Sequence, residues 1–193
     1  MSQSPTIPPI PGLDRLVEDL DRATAFEDRR ELSREVKETL ERHTEEQTLI
    51  LPPEIQTPAE DSYARRLLHL DPEGRYSLLA MVWGPDQGTP LHDHAGMWCV
   101  EGVYHGEIDV CQFELKERDN GRFRFEAGET VRAGLGDAGA LIPPFEYHTI
   151  ANPHSDRSAM TLHVYGGEMT ECTVFEPVGD GWYRRETKEL GYD

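Results

Sequence analysis

Apolar residues change their spacing once along this chain. From Leu13 to about His43 they fall at Leu13, Leu16, Val17, Leu20 and Ala23, then at Leu32, Val36 and Leu40, among many Asp, Glu and Arg. Steps of three and four residues line up on one face of a helix, so solvated amphipathic helices are predicted here. The run LPPEIQTP, residues 51–58, carries three prolines, which end a helix by removing donors and clashing with the preceding turn. Beyond it come short β-branched or aromatic runs: YSLLAMVW, WCVEGVYHG, EIDVCQFEL, GRFRFEAG, ALIPP, SAMTLHVY and ECTVFEP, separated by Gly, Pro, Asp and Asn clusters. That recurrence predicts an all-β sandwich, jelly roll or barrel, folds that carry ligand pockets in their mouths. The expected organisation is a helical segment with its linker over residues 1–58, packed on an all-β barrel over residues 59–193.

Composition narrows the classes of partner. At 193 residues the chain fits one domain with a helical extension, long enough to bury a core. Nineteen basic against 37 acidic residues give a formal charge of -18, a field that repels nucleic-acid phosphates and anionic membranes. An acidic ligand must therefore be held by a locally placed cation. The start, MSQSPTIPPIPG, has neither a basic nor an apolar stretch, and no run approaches the roughly 20 apolar residues of a membrane span, so a cytoplasmic protein is expected. Cys99, Cys111 and Cys172 are odd in number and lack a CxxC spacing, which argues against both a disulfide framework and a structural zinc finger.

The densest chemistry lies in TPLHDHAGMWC, residues 89–99. On a strand, residues two apart share a face, so His92 and His94 are expected to point together and Asp93 away. Gly106 follows Cys99 by seven residues, and in PPFEYHTIAN Pro143 lies five before His148 and Asn152 four after it. Together these resemble the two cupin motifs, which supply His-x-His from one strand and a third His from a later one. The resemblance implies an all-β cupin barrel with His92, His94 and His148 as metal ligands. The first motif normally has a Glu ligand where this chain has Cys99. Three neutral nitrogens suit an iron(II) centre with open positions, although zinc also accepts three histidines.

A second run, MTLHVYGGEMTEC, alternates Thr161, His163 and Tyr165 onto one strand face, with His163 fifteen residues after His148. This resembles the cysteine dioxygenase family, in which a Ser-His-Tyr alternation at that distance lines the pocket; Thr161 keeps the hydroxyl of the Ser. The resemblance runs roughly from Tyr63 to Phe175. It implies that Cys99 can form a thioether with Tyr165, and that Tyr63 and Arg65 in YARRLLH correspond to the family's Tyr-x-Arg, whose arginine takes the substrate carboxylate. A guanidinium suits that task because its donors fork onto both oxygens. Arg66 is the second candidate. Met81 and Trp83 match pocket-wall positions but read equally as barrel core. Cys111 reads as an ordinary strand cysteine. His43 in a charged helix, His69 in a loop, His105 in a turn and His154 after Asn-Pro are expected to take no part in metal binding.

The expectation is an iron(II)-dependent cysteine dioxygenase oxidising the thiol of L-cysteine with O2 to cysteine sulfinic acid. His92, His94 and His148 would hold Fe(2+), Tyr165, His163 and Cys99 would act at the reacting centre, and Arg65, Tyr63 and Thr161 would bind substrate. A monomer acting on small molecules, with neither nucleic acid nor membrane as partner, is expected. Alternatives within the class are 3-mercaptopropionate or cysteamine as substrate; outside it, a non-iron or non-catalytic metal-binding cupin.

Overall fold

The computed structural model describes residues 9–193; residues 1–8 of the expected N-terminal segment lie outside the described residues. Helix α1 (Leu13–Ala23) starts after Gly12, whose φ of 84° and close approach to the Thr48 carbonyl leave no room for a Cβ. Helix α2 (Arg29–Glu45) is capped by Asp28, which accepts from the amides of Arg30 and Glu31. The proline run that ends the helical region also opens a one-turn helix, α3 (Pro53–Gln56), because proline's fixed φ suits a helix start.

Eleven strands follow: β1 (Ala64–Leu70), β2 (Ser77–Trp83), β3 (Leu91–His92), β4 (Cys99–His105), β5 (Glu107–Asp119), β6 (Arg122–Gly134), β7 (Ala138–Leu141), β8 (His148–Ala151), β9 (Ala159–Tyr165), β10 (Glu171–Gly179) and β11 (Trp182–Glu189). They form a five-stranded sheet in the order β1-β2-β9-β4-β7 and a closed ring of β10-β11-β6-β5-β8-β3. His69, expected in a loop, lies in β1 beside Tyr76. It went unread as a strand residue because β1, at the sheet edge, tolerates Arg and His that break the apolar pattern.

The two faces of the five-stranded sheet are buried for different reasons. Leu78, Ala80 and Val82 of β2, with Met160, Leu162 and Val164 of β9, pack against Leu16, Leu20, Val36 and Leu40 of the helices. The alternate residues, Leu79, Met81 and Trp83 with Cys99 and Tyr165, face the strand ring and share a core with Ile108, Ile150 and Val174. Burial on both sides explains why these strands read as continuous apolar runs. A third cluster, Leu91, Phe123, Phe125, Tyr147 and Phe175, fills the ring. No helix among the described residues is long and apolar enough to cross a membrane.

Candidate metal centre and substrate pocket

His92 of β3 pairs directly with His148 of β8, and their Nε2 atoms lie 3.2 Å apart. His94 joins them, with one nitrogen from each ring falling within 4.8 Å of the others. It arrives by a turn, a correction to the expected strand alternation: β3 ends at His92, and Ala95 (φ 52°) and Gly96 (φ 79°) reverse the chain. Asp93 Oδ1 fixes this turn by accepting from the amides of Ala95 (3.1 Å) and Thr173 (2.8 Å). All three rings are buried, and burial holds each below the usual imidazole range, so they are neutral. The neutral imidazole is the ligand form.

The donor set fits a metal ion. Nitrogens bound to one ion at about 2.0–2.1 Å and near right angles lie roughly 3 Å apart, close to the His92–His148 separation. With Nε2 turned inward, Nδ1–H is left outside; that of His92 is 3.0 Å from the Pro90 carbonyl and donates to it.

Beside the histidines runs a ladder across β4 and β9 in which Cys99 faces Tyr165, Glu101 faces His163 and Val103 faces Thr161. Directly opposed side chains on one face of an antiparallel pair are in contact, so Cys99 and Tyr165 are neighbours. Trp83 Nε1 donates to Thr161 Oγ1 at 2.9 Å, Thr161 Oγ1 lies 2.7 Å from His163 Nε2, and Tyr165 Oη lies 3.2 Å from His163 Nδ1. Cys99 Sγ is 4.0 Å from that same nitrogen. Burial pushes the Cys99 thiol and Tyr165 phenol well up and holds His163 down at about 3, so this chain of side chains is uncharged at neutral pH.

Tyr63, Arg65, Met81, Trp83, His92, His163 and Tyr165 line one cavity of about 20 Å³, room for a water but not for an amino acid. Tyr63 stacks on Trp83 at 4.6 Å. Arg65 is buried; its guanidinium donates to the carbonyls of Gly191 (2.8 Å) and Met169 (3.1 Å), and Tyr192 stacks over it. Arg66 lies outside this cavity and reaches the Thr57 carbonyl at 3.3 Å. Among the remaining histidines, buried His43 bonds to Asp19 and Thr48, and His154 to Glu107.

Several residues in and around the site escaped the sequence reading. Leu190 of the cavity wall, and Gly191 and Tyr192 against Arg65, belong to no motif. Glu101 is 7% exposed and lies 3.6 Å from both His148 Nδ1 and His163 Nδ1. Its signal was present: in a strand beginning at Cys99, Glu101 shares the cysteine's face. Burial raises its carboxyl to about 8.

A family model described as Cysteine dioxygenase type I matches residues 58–177, a span that holds the histidine cluster, the β4–β9 ladder and Arg65. The chain belongs to that family. Cysteine dioxygenase type 1 of Rattus norvegicus is 23% identical over 118 residues, covering 59% of this chain and 56% of the relative. The Danio rerio protein of the same name is 24% identical over 119 residues with the same coverage. The chain thus spans little more than half the length of these relatives. A double-stranded β-helix protein from Klebsiella pneumoniae superposes with a TM-score of 0.45 at 15% identity, over 61% of this chain and 88% of that one. For a cysteine dioxygenase family member, the two-layered strand architecture with its internal histidine cluster is a cupin barrel.

Proposed function

We propose that this chain is an iron(II)-dependent thiol dioxygenase acting on free L-cysteine. The observation that carries the reading is one cavity in which the Arg65 guanidinium meets His92, a member of the cluster of three neutral imidazoles, together with His163 and Tyr165. Arg65 has no carboxylate within ion-pair distance among the described residues. A buried cation met only by carbonyl oxygens favours an anionic ligand.

In the reaction, a thiol and O2 combine to a sulfinic acid: the S–H bond is lost, both oxygen atoms join sulfur, and no external reductant is consumed. Iron held by His92, His94 and His148 supplies the redox centre and the positive charge that stabilises a thiolate. Arg65 orients the substrate by taking its carboxylate through forked donors, in place of the carbonyls it now meets, which requires the cavity of about 20 Å³ to widen as the amino acid enters. Tyr165, beside His163, offers a hydroxyl to the reacting atoms, and Thr161 and Trp83 hold His163 in place. Leu190, with Met81 and Trp83, forms the apolar part of the cavity wall. Cys99 lies opposite Tyr165, and a thioether between them, formed as O2 takes up the thiol hydrogen and one ring hydrogen, would fix the phenol's orientation.

His148→Ala should abolish stoichiometric iron binding; unchanged iron content would remove the metal centre from this account. Oxygen uptake compared across cysteine, 3-mercaptopropionate and cysteamine tests the substrate, with cysteine expected to give the highest kcat/KM. Preference for cysteamine, which has no carboxylate, would contradict the role of Arg65.

A further inference from the structure

Glu101 has no part in the chemistry above, yet it lies between the metal cluster and the β4–β9 ladder. Oε1 is 3.6 Å from His148 Nδ1 and Oε2 is 3.6 Å from His163 Nδ1. Both Oε2 and His148 Nδ1 are buried and have no hydrogen-bond partner among the described residues. His148 Nδ1 faces Oε1, and Oε2 faces His163 Nδ1; a buried polar group left unpaired loses its hydration without compensation, a cost of about 1–3 kcal/mol per group. A shift of a few tenths of an ångström brings Oε1 within hydrogen-bond distance of His148 Nδ1. His148 Nε2 faces His92 Nε2, so with a metal bound by both Nε2 atoms the His148 proton would sit on Nδ1, the nitrogen on the side of the carboxyl.

From this geometry we infer that Glu101 is the positioning residue for the metal ligand His148. It accepts a hydrogen bond from Nδ1–H and so fixes the ring's tautomer and its aim, while its other oxygen reaches His163 on the neighbouring strand. His92 has the Pro90 carbonyl in the equivalent place; Glu101 supplies for His148 what backbone supplies for His92. A carboxyl oxygen accepts whether or not the group is ionised, so the role does not depend on its charge. Register fixes the position: Glu101 pairs with His163 on one side and with Gly139 on the other. At Gly139, nothing lies within 4 Å of where a Cβ would stand.

The inference rests on the metal centre proposed above. The test is anaerobic titration of metal-free protein with iron(II) against a competing chelator, for wild type, Glu101→Leu, Glu101→Gln and His148→Ala. Removing such a hydrogen bond weakens metal binding by about 10–100-fold; Glu101→Leu is expected in that range, with the metal-free protein melting no lower than wild type. Glu101→Gln, whose amide oxygen still accepts, is expected within a few-fold of wild type. Equal affinity in Glu101→Leu and wild type overturns the inference, and so does a loss that Glu101→Gln shares in full. Glu101→Met, of similar length and without an acceptor, gives the same reading should Glu101→Leu not fold. Loss of iron in His148→Ala alone would leave the metal centre standing and remove only Glu101's role; no loss in His148→Ala would remove the centre itself.

Discussion

A guanidinium taken out of water needs its donors met, and at Arg65 the carbonyls of Gly191 and Met169 meet two of them while Nε has none. A substrate carboxylate would exchange neutral acceptors for a charged one, a gain of about 1.5–3 kcal/mol. Arg65→Ala should therefore raise KM for cysteine by roughly tenfold or more and change that for cysteamine only slightly, read from oxygen uptake at varied thiol concentration. Equal effects on both thiols would take the carboxylate away from Arg65. Residues of this kind were legible because a motif spacing carried them: Arg65 two after Tyr63, and His163 and Tyr165 on one strand face. Glu101 was not, because a lone acidic residue in a strand reads as a solvent-facing position, and only the pairing of β4 with β9 buries it beside the histidines. The C-terminal segment Leu190 to Tyr192, whose Leu190 lines the cavity, reaches Arg65 from 126 residues away along the chain at Gly191, a closeness that no local pattern encodes.

Between β1 and β2 the chain turns through Asp71 to Tyr76, and this turn also anchors the sheet to α1. Asp71 accepts from the Arg75 amide (2.9 Å) and from its guanidinium (2.7 and 3.0 Å), while Arg75 and Tyr76 both reach Asp21 of α1 (2.7 and 3.1 Å). The Arg75 hydrogen bonds hold the Asp71 carboxyl down at about 2 from an ordinary 3.8. A carboxyl depressed on folding stabilises above its unfolded value and loses that contribution as pH falls through the folded one. Asp71→Asn should thus be less stable than wild type at neutral pH in urea titrations, with the gap narrowing below about pH 4 and closing near pH 2; a gap independent of pH would contradict the pairing. Strands were legible where burial dictated them, as in β2 and β9. By contrast β11 is exposed along most of its length, and the 13-residue β5 and β6 extend as largely exposed polar partners beyond the runs EIDVCQFEL and GRFRFEAG. Cross-strand pairing, not local hydrophobicity, makes those segments strands.

Helices and barrel depend on each other across the whole molecule. Leu40 of α2 is fully buried and comes against Gly102 of β4, where a Cβ would stand 3.4 Å from it. The opposite face of β4 carries Cys99 and Glu101, so the helical layer backs the strand that lines the site. Leu40→Ala should lower stability by about 2–5 kcal/mol in denaturant titration while iron binding per folded molecule persists; a loss under about 1 kcal/mol would contradict this packing. The net charge of -18 leaves recognition of an anionic substrate to the buried cation, since the outer field repels one. The most direct measurement of the whole account is product analysis for iron-loaded protein given L-cysteine and isotopically labelled O2. The account predicts cysteine sulfinate carrying two labelled oxygen atoms, with one O2 consumed for each thiol. Absence of oxygen uptake, or conversion of cysteine only to its disulfide without label, would contradict it.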